Sequence, residues 1–223
     1  MKRIVLFLCC LLTASYAFTQ DCEAFYPIEK GTFIENKGYD DKGEFAGTTK
    51  QTITDVTHTA KGLEIKVQSE QLDKKEKSLG TQDLTMRCED GVFYMDMKNF
   101  FNQSAATGQS NTEASIDATD LLFPANLKVG ETLPDGKMTI GMGMISMGVS
   151  IYNRKVLAIE NVTTPAGTFE CYKLSYDIDL KIPVKISNSA IQWVAKNVGA
   201  VRTETYNKKG KMLGYSELSA FHK

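Results

Sequence analysis

Thr164-Pro165-Ala166-Gly167-Thr168-Phe169 lies between two strand-like stretches and decides how this 223-residue chain is read. Ahead of it, Arg154 to Val162 has the composition of a strand. Behind it, Tyr172, Leu174, Tyr176, Ile178 and Leu180 alternate with Lys173, Ser175, Asp177 and Asp179, the period-2 pattern of a half-buried strand. Pro165 presets φ for the first turn position. Gly167 can adopt the left-handed conformation that closes a three-residue hairpin loop with a bulge. One hairpin is therefore specified locally, and the rest of the chain reads as further hairpins added to it.

Tyr39-Asp40-Asp41-Lys42-Gly43-Glu44-Phe45 and Tyr206-Asn207-Lys208-Lys209-Gly210-Lys211-Met212 share one turn chemistry. In each, an Asp or Asn accepts backbone hydrogen bonds at the start of the turn, and a Gly follows three residues later. Leu63, Ile65 and Val67 alternate with Glu64, Lys66 and Gln68, which predicts a strand with one wet face. The charged run Asp73 to Lys77 reads as a solvated turn. Leu84, Met86 and Cys88 share a parity, Glu89-Asp90-Gly91 turns, and Phe93, Met95 and Met97 share the next strand face. Asn102 to Ser115, rich in Ser, Thr, Asn, Gln and Gly, reads as a loop long enough to cover a cavity. Ser189 to Asn197 can be read as two helical turns, although Ile191, Trp193 and Ala195 also fit a strand. Short strands with turn signals between them predict an all-β fold: one domain over 21–223, a strongly curved antiparallel sheet or partial barrel with little helix.

Lys2-Arg3, the apolar run Ile4 to Leu12 and the small residues Ala14, Ser15 and Ala17 have the layout of a secretory signal, assigned to 1–20. The apolar run is too short for a spanning helix. Cys9, Cys10 and Cys22 are not preceded by the small residues of a lipoprotein site, so the expectation is a released periplasmic or secreted protein that does not span a membrane. A net charge of −1, with both signs interspersed, argues against nucleic acid as a partner. After removal of the signal, Cys22, Cys88 and Cys171 remain, an odd number that implies one bridge and one leftover thiol in an oxidising compartment. Cys88 and Cys171 both fall on regular sheet, and the bridge is assigned to them. It would close a loop of about 80 residues, worth about 4 kcal/mol in the chain-entropy model.

Phe123-Pro124-Ala125-Asn126-Leu127-Lys128-Val129-Gly130, Leu133-Pro134-Asp135-Gly136 and Asn153-Arg154-Lys155-Val156 form a recurring order of phrases. They continue with Thr164 through Lys173, Trp193 through Val201, Tyr206 through Lys211, and Gly214-Tyr215. This order resembles a family of exported Gram-negative proteins of unknown function, sometimes labelled TapB-like, along essentially the whole mature chain. The resemblance implies a curved antiparallel sheet or partial barrel, loosely similar to periplasmic lipoprotein carriers. It supplies no catalytic residue.

The residues themselves contain no signature of catalysis. His58 and His222 have no nearby ligand or triad pattern, and Asp55 with His58 reads as surface. No phosphate loop, HExxH or Gly-x-Ser-x-Gly occurs. The most unusual stretch is Met138-Thr139-Ile140-Gly141-Met142-Gly143-Met144-Ile145-Ser146-Met147-Gly148. As a strand it lines Met138, Ile140, Met142 and Met144 on one face, an adaptable apolar surface. A bulged core strand, a glycine-rich loop and a thioether copper site are the competing readings of the same residues. The expectation is a non-enzymatic protein, without cofactor or metal, that binds a lipid or other apolar small molecule against Phe93, Met95, Met142, Met144 and Trp193. The alternative is a structural or interaction module of the envelope with a filled core, and an enzyme comes third.

Overall fold

The hairpin centred on Pro165 is the longest among the described residues: β9 (Ile145–Thr164) and β10 (Gly167–Ile182) run antiparallel over most of their length. Thr164 pairs with Gly167, so the loop contains only Pro165 and Ala166, one residue tighter than predicted. Gly167 has φ +135°, and the conformational freedom assigned to it from sequence is used.

The computed structural model describes residues 24–100, 115–142, 145–182 and 184–223. The signal segment, nearly all of the Asn102 to Ser115 loop, and Met144 lie outside the described residues, and Met142 is placed by its backbone alone. A first meander comprises β1 (Phe33–Asp40), β2 (Phe45–Thr59), β3 (Gly62–Asp73), β4 (Ser78–Glu89) and β5 (Val92–Met95). Two short strands follow, β6 (Ser115–Thr119) and β7 (Leu121–Pro124). The second meander comprises β8 (Gly136–Met142), β9, β10, β11 (Val184–Ala195), β12 (Gly199–Asn207) and β13 (Met212–His222). β13 pairs with β1, joining the two meanders into one antiparallel sheet. Ser189 to Ala195 is strand, so the helical alternative does not form.

The sheet runs from edge strand β6 to edge strand β7, and Asp120 alone separates these two in sequence. A thirteen-stranded sheet whose two ends are covalent neighbours must curl until its edges meet, giving a nearly closed barrel. β6 and β7 remain the two edges of the sheet, and both are short, which limits templating by another chain. Arg154 crosses the seam, its Nη1 donating to the carbonyls of Leu122 (3.1 Å) and Pro134 (2.6 Å).

The two matching turns form as the sequence predicts. Asp40 Oδ1 accepts from the N–H groups of Lys42 and Glu44, and Asn207 Oδ1 from those of Lys209 and Lys211. The charged run Asp73 to Lys77 is a third copy of this turn: Asp73 Oδ1 accepts from the N–H groups of Lys75 and Lys77. At the position of Gly43 (φ +79°) and Gly210 (φ +75°) this copy carries Glu76, at φ +61°. An L-residue in the left-handed region costs about 1–2 kcal/mol, partly offset on substitution by the extra chain entropy of Gly. Glu76→Gly is therefore expected to stabilise the protein by about 0.5–1 kcal/mol, read as a higher urea midpoint at unchanged slope. An unchanged or lower midpoint would show that this turn stores no strain.

The Cys88–Cys171 bridge assigned from sequence is not formed, because Cys171 is a buried free thiol. The reason is parity. Cys88 shares the inward face of Leu84 and Met86 and belongs to the main core, whereas Cys171 alternates with inward Tyr172 and Leu174 and so faces the other way. It is buried in a smaller cluster with Trp193, Ala195 and Val201. Burial there pushes its pKa up to about 11, so this thiol is protonated and unreactive at neutral pH. Cys88 is disulfide-bonded, but not to Cys171.

Candidate functional site

The inward faces of β1 to β4 change character along the barrel. At the closed end, Ile53, Val67 and Leu84 stand side by side on β2, β3 and β4, and all are buried. One row further along, Gln51, Ser69 and Gln82 are paired across the same strands. Beyond them Asn36, Thr49 and Gln71 follow on β1, β2 and β3. Because the side-chain period is two, each step of two residues keeps the same face and moves toward the open end.

These rows line a cavity of about 460 Å³. Its size lies within the range of small-molecule sites. Its apolar part is formed by Phe25, Tyr26, Ile34, Met86, Phe93 and Phe123, with Met95, Val194 and Ala200 alongside. Its polar part consists of Asn36, Thr49, Gln51, Ser69, Gln71, Gln82 and Gln192, and none of the described residues lining it is charged. Such a wall offers neutral donors and acceptors beside an apolar body, suited to recognising a ligand without titrating.

The aromatic floor depends on the lead-in before β1. Ala24, Phe25 and Tyr26 are buried, and the Ala24 carbonyl accepts from the N–H of Asn197, which ties the segment to the β11–β12 turn. The Phe25 ring meets Tyr172 edge-on at 5.2 Å, and Tyr26 stacks on Phe93 at 6.1 Å. Tyr26 Oη donates to Gln51 Oε1 (3.0 Å), joining floor to polar row. Burial raises the Tyr26 pKa far above that of an ordinary phenol, so it remains a neutral donor.

Of the ligand residues named from sequence, Phe93 and Met95 line the cavity. Trp193 does not. It pairs with Lys173 on the opposite sheet face, donates from Nε1 to Glu160 Oε1 (2.6 Å), and lies under the Lys173 ammonium. Met142 has no described side chain, and Met144 lies outside the described residues. Met138 and Ile140, from the same stretch, are buried in the core.

Sequence reasoning missed the glutamines, the two lead-in aromatics and Arg154. The glutamines carried a usable signal: continuing the Leu63, Ile65, Val67 parity places Ser69 and Gln71 inside, and continuing the Leu84, Met86 parity backwards places Gln82 there. Arg154 carried none. An outward-facing cation and an inward one look alike in a strand whose register shifts at a bulge, as β9 and β10 do between Ser175 and Asp177. Among the described residues no group of three or more His, Cys, Asp or Glu is placed to hold a metal ion, and no helix is long and apolar enough to cross a membrane.

Residues 29–218 match the model of the DUF3108-like family. The chain belongs to the DUF3108-like family. The narrower TapB-like label remains a resemblance. A crystal structure from Bacteroides fragilis, described as an exported protein with a YmcC-like fold, is similar at 24% identity and a TM-score of 0.75. The match covers 91% of this chain and 100% of that one. A lipoprotein structure from Parabacteroides distasonis is similar at 27% identity, with the same coverage and TM-score. No curated protein matches the chain.

Proposed function

We propose that this DUF3108-like protein is exported and, without catalysing a reaction, holds a hydrophobic or amphipathic, lipid-like molecule inside its barrel. The observation that carries this reading is the cavity itself, with aromatic and aliphatic side chains at one end and a neutral polar row at the other. A packed module would fill that space, since interiors close to crystal density leave few voids larger than water. That none of the described lining residues is charged fits retention of an apolar body better than acid–base chemistry, which needs a titratable group facing the substrate. Export is supported by the signal-like first 20 residues and by the similar proteins, one described as exported and one as a lipoprotein.

Native mass spectrometry of protein purified from its own envelope tests the reading. The expected result is a retained small molecule that organic extraction removes and that rebinds with one-to-one stoichiometry. Protein that is ligand-free as purified, and that takes up no lipid or hydrophobic dye, would overturn it.

A further inference from the structure

Arg154 is 3% exposed, and its guanidinium is only partly satisfied. Nη1 makes the two seam hydrogen bonds, and the face of the group lies over the Phe123 ring at 4.6 Å. Nη2 is buried and has no partner. Its charge persists: burial lowers the Arg154 pKa only to about 10, so it is a cation at neutral pH. No side-chain carboxylate hydrogen-bonds to it among the described residues; the exposed Asp135 supports the charge from outside, and the buried phenol of Tyr176 beside it is neutral at that pH. A buried cation with a free donor is expensive unless something else completes it. Tying the seam needs one nitrogen, and that nitrogen is Nη1.

Arg154, Tyr176, Leu174 and Ile151 are among the residues that line an annex of about 80 Å³. Met95, Phe123 and Gln192 line both this annex and the main cavity, so the two spaces lie back to back at the apolar floor. The annex is roomy enough to hold a carboxylate group. Met95 and Gln192, both unbranched and only partly buried, are the flexible side chains between the two.

We propose that Arg154 is the anion-recognition residue of the cavity, and that the ligand is a single-chain amphiphile whose ionised carboxylate is received by Nη2 while its apolar chain lies against the aromatic floor. This rests on the cavity being a ligand site and narrows the ligand to one class. The folded chain has already desolvated and oriented the guanidinium, so a carboxylate arriving there finds a preorganised partner.

The test compares a fluorescent C18 fatty acid with its methyl ester on the wild-type protein at pH 8. The acid is expected to bind ten- to a hundredfold more tightly, the range that one hydrogen bond to a charged group supports. In Arg154→Gln that preference is expected to vanish while ester affinity stays within about threefold. Equal affinities on wild type would overturn the inference and leave the cavity reading standing. Binding of neither ligand would end both. A preference that persists in folded Arg154→Gln would place the anion elsewhere and overturn the inference. Should that variant not fold, palmitate labelled with 13C at the carboxyl decides on wild type: its bound resonance is expected to stay that of the ionised form to at least one pH unit below its free titration, and titration at the free value would overturn the assignment.

Discussion

Phe93→Ala is expected to cost about 3–5 kcal/mol of stability, a large share of the 5–15 kcal/mol available to a domain. Phe93 lies on the four-residue strand β5 and is 1% exposed. Its ring stacks on Tyr26 at 6.1 Å and tilts against Phe123 at 6.3 Å. Removing it takes away the ring's own transfer energy, two aromatic contacts, and support for the lead-in segment that carries Tyr26. The neighbouring cavity prevents easy collapse into the vacated space, so the cost falls at the upper end of the range. Urea unfolding measures it, with Phe93→Leu as a control that retains most of the volume. A loss below about 1 kcal/mol for the alanine variant would show that the floor does not depend on this ring.

Ala200→Trp is expected to leave the barrel folded and to weaken binding of a hydrophobic dye or fatty acid by tenfold or more. Ala200 lies on β12, pairs with Val194 of β11, and both face the cavity. An indole projected from that position enters about 460 Å³ of open space rather than a packed core. In a filled interior the same substitution would force neighbours off their rotamers and cost about 1–3 kcal/mol or more. The two interpretations predict opposite pairs of results. Retained thermal stability with lost binding supports a ligand cavity. A destabilised protein, or one that folds and binds as the wild type does, shows that the space is not used in this way.

The sequence alone determined the hairpins, and through them the fold class. Alternation in β3, β4 and β10 and the Asp/Asn-x-x-Gly turns are local signals, because a strand's faces and a turn's φ angles are fixed by residues within a few positions of each other. The parity that makes Leu63 to Val67 a core face carries on to Ser69 and Gln71, so the polar row of the cavity is also written in the sequence. The same parity separates Cys88 from Cys171, and following it through would have ruled out their bridge. What only the tertiary structure decided depends on closure. The sequence does not say that β6 and β7, separated by Asp120, are the two ends of one sheet, because that requires the summed curvature of thirteen strands. Nor could it say that Arg154 would be drawn across that seam into the interior, or that Phe25 and Tyr26 would floor a cavity rather than trail outside it. Each of these facts sets residues far apart in the chain against one another, and a pattern of period two carries no information about such distances.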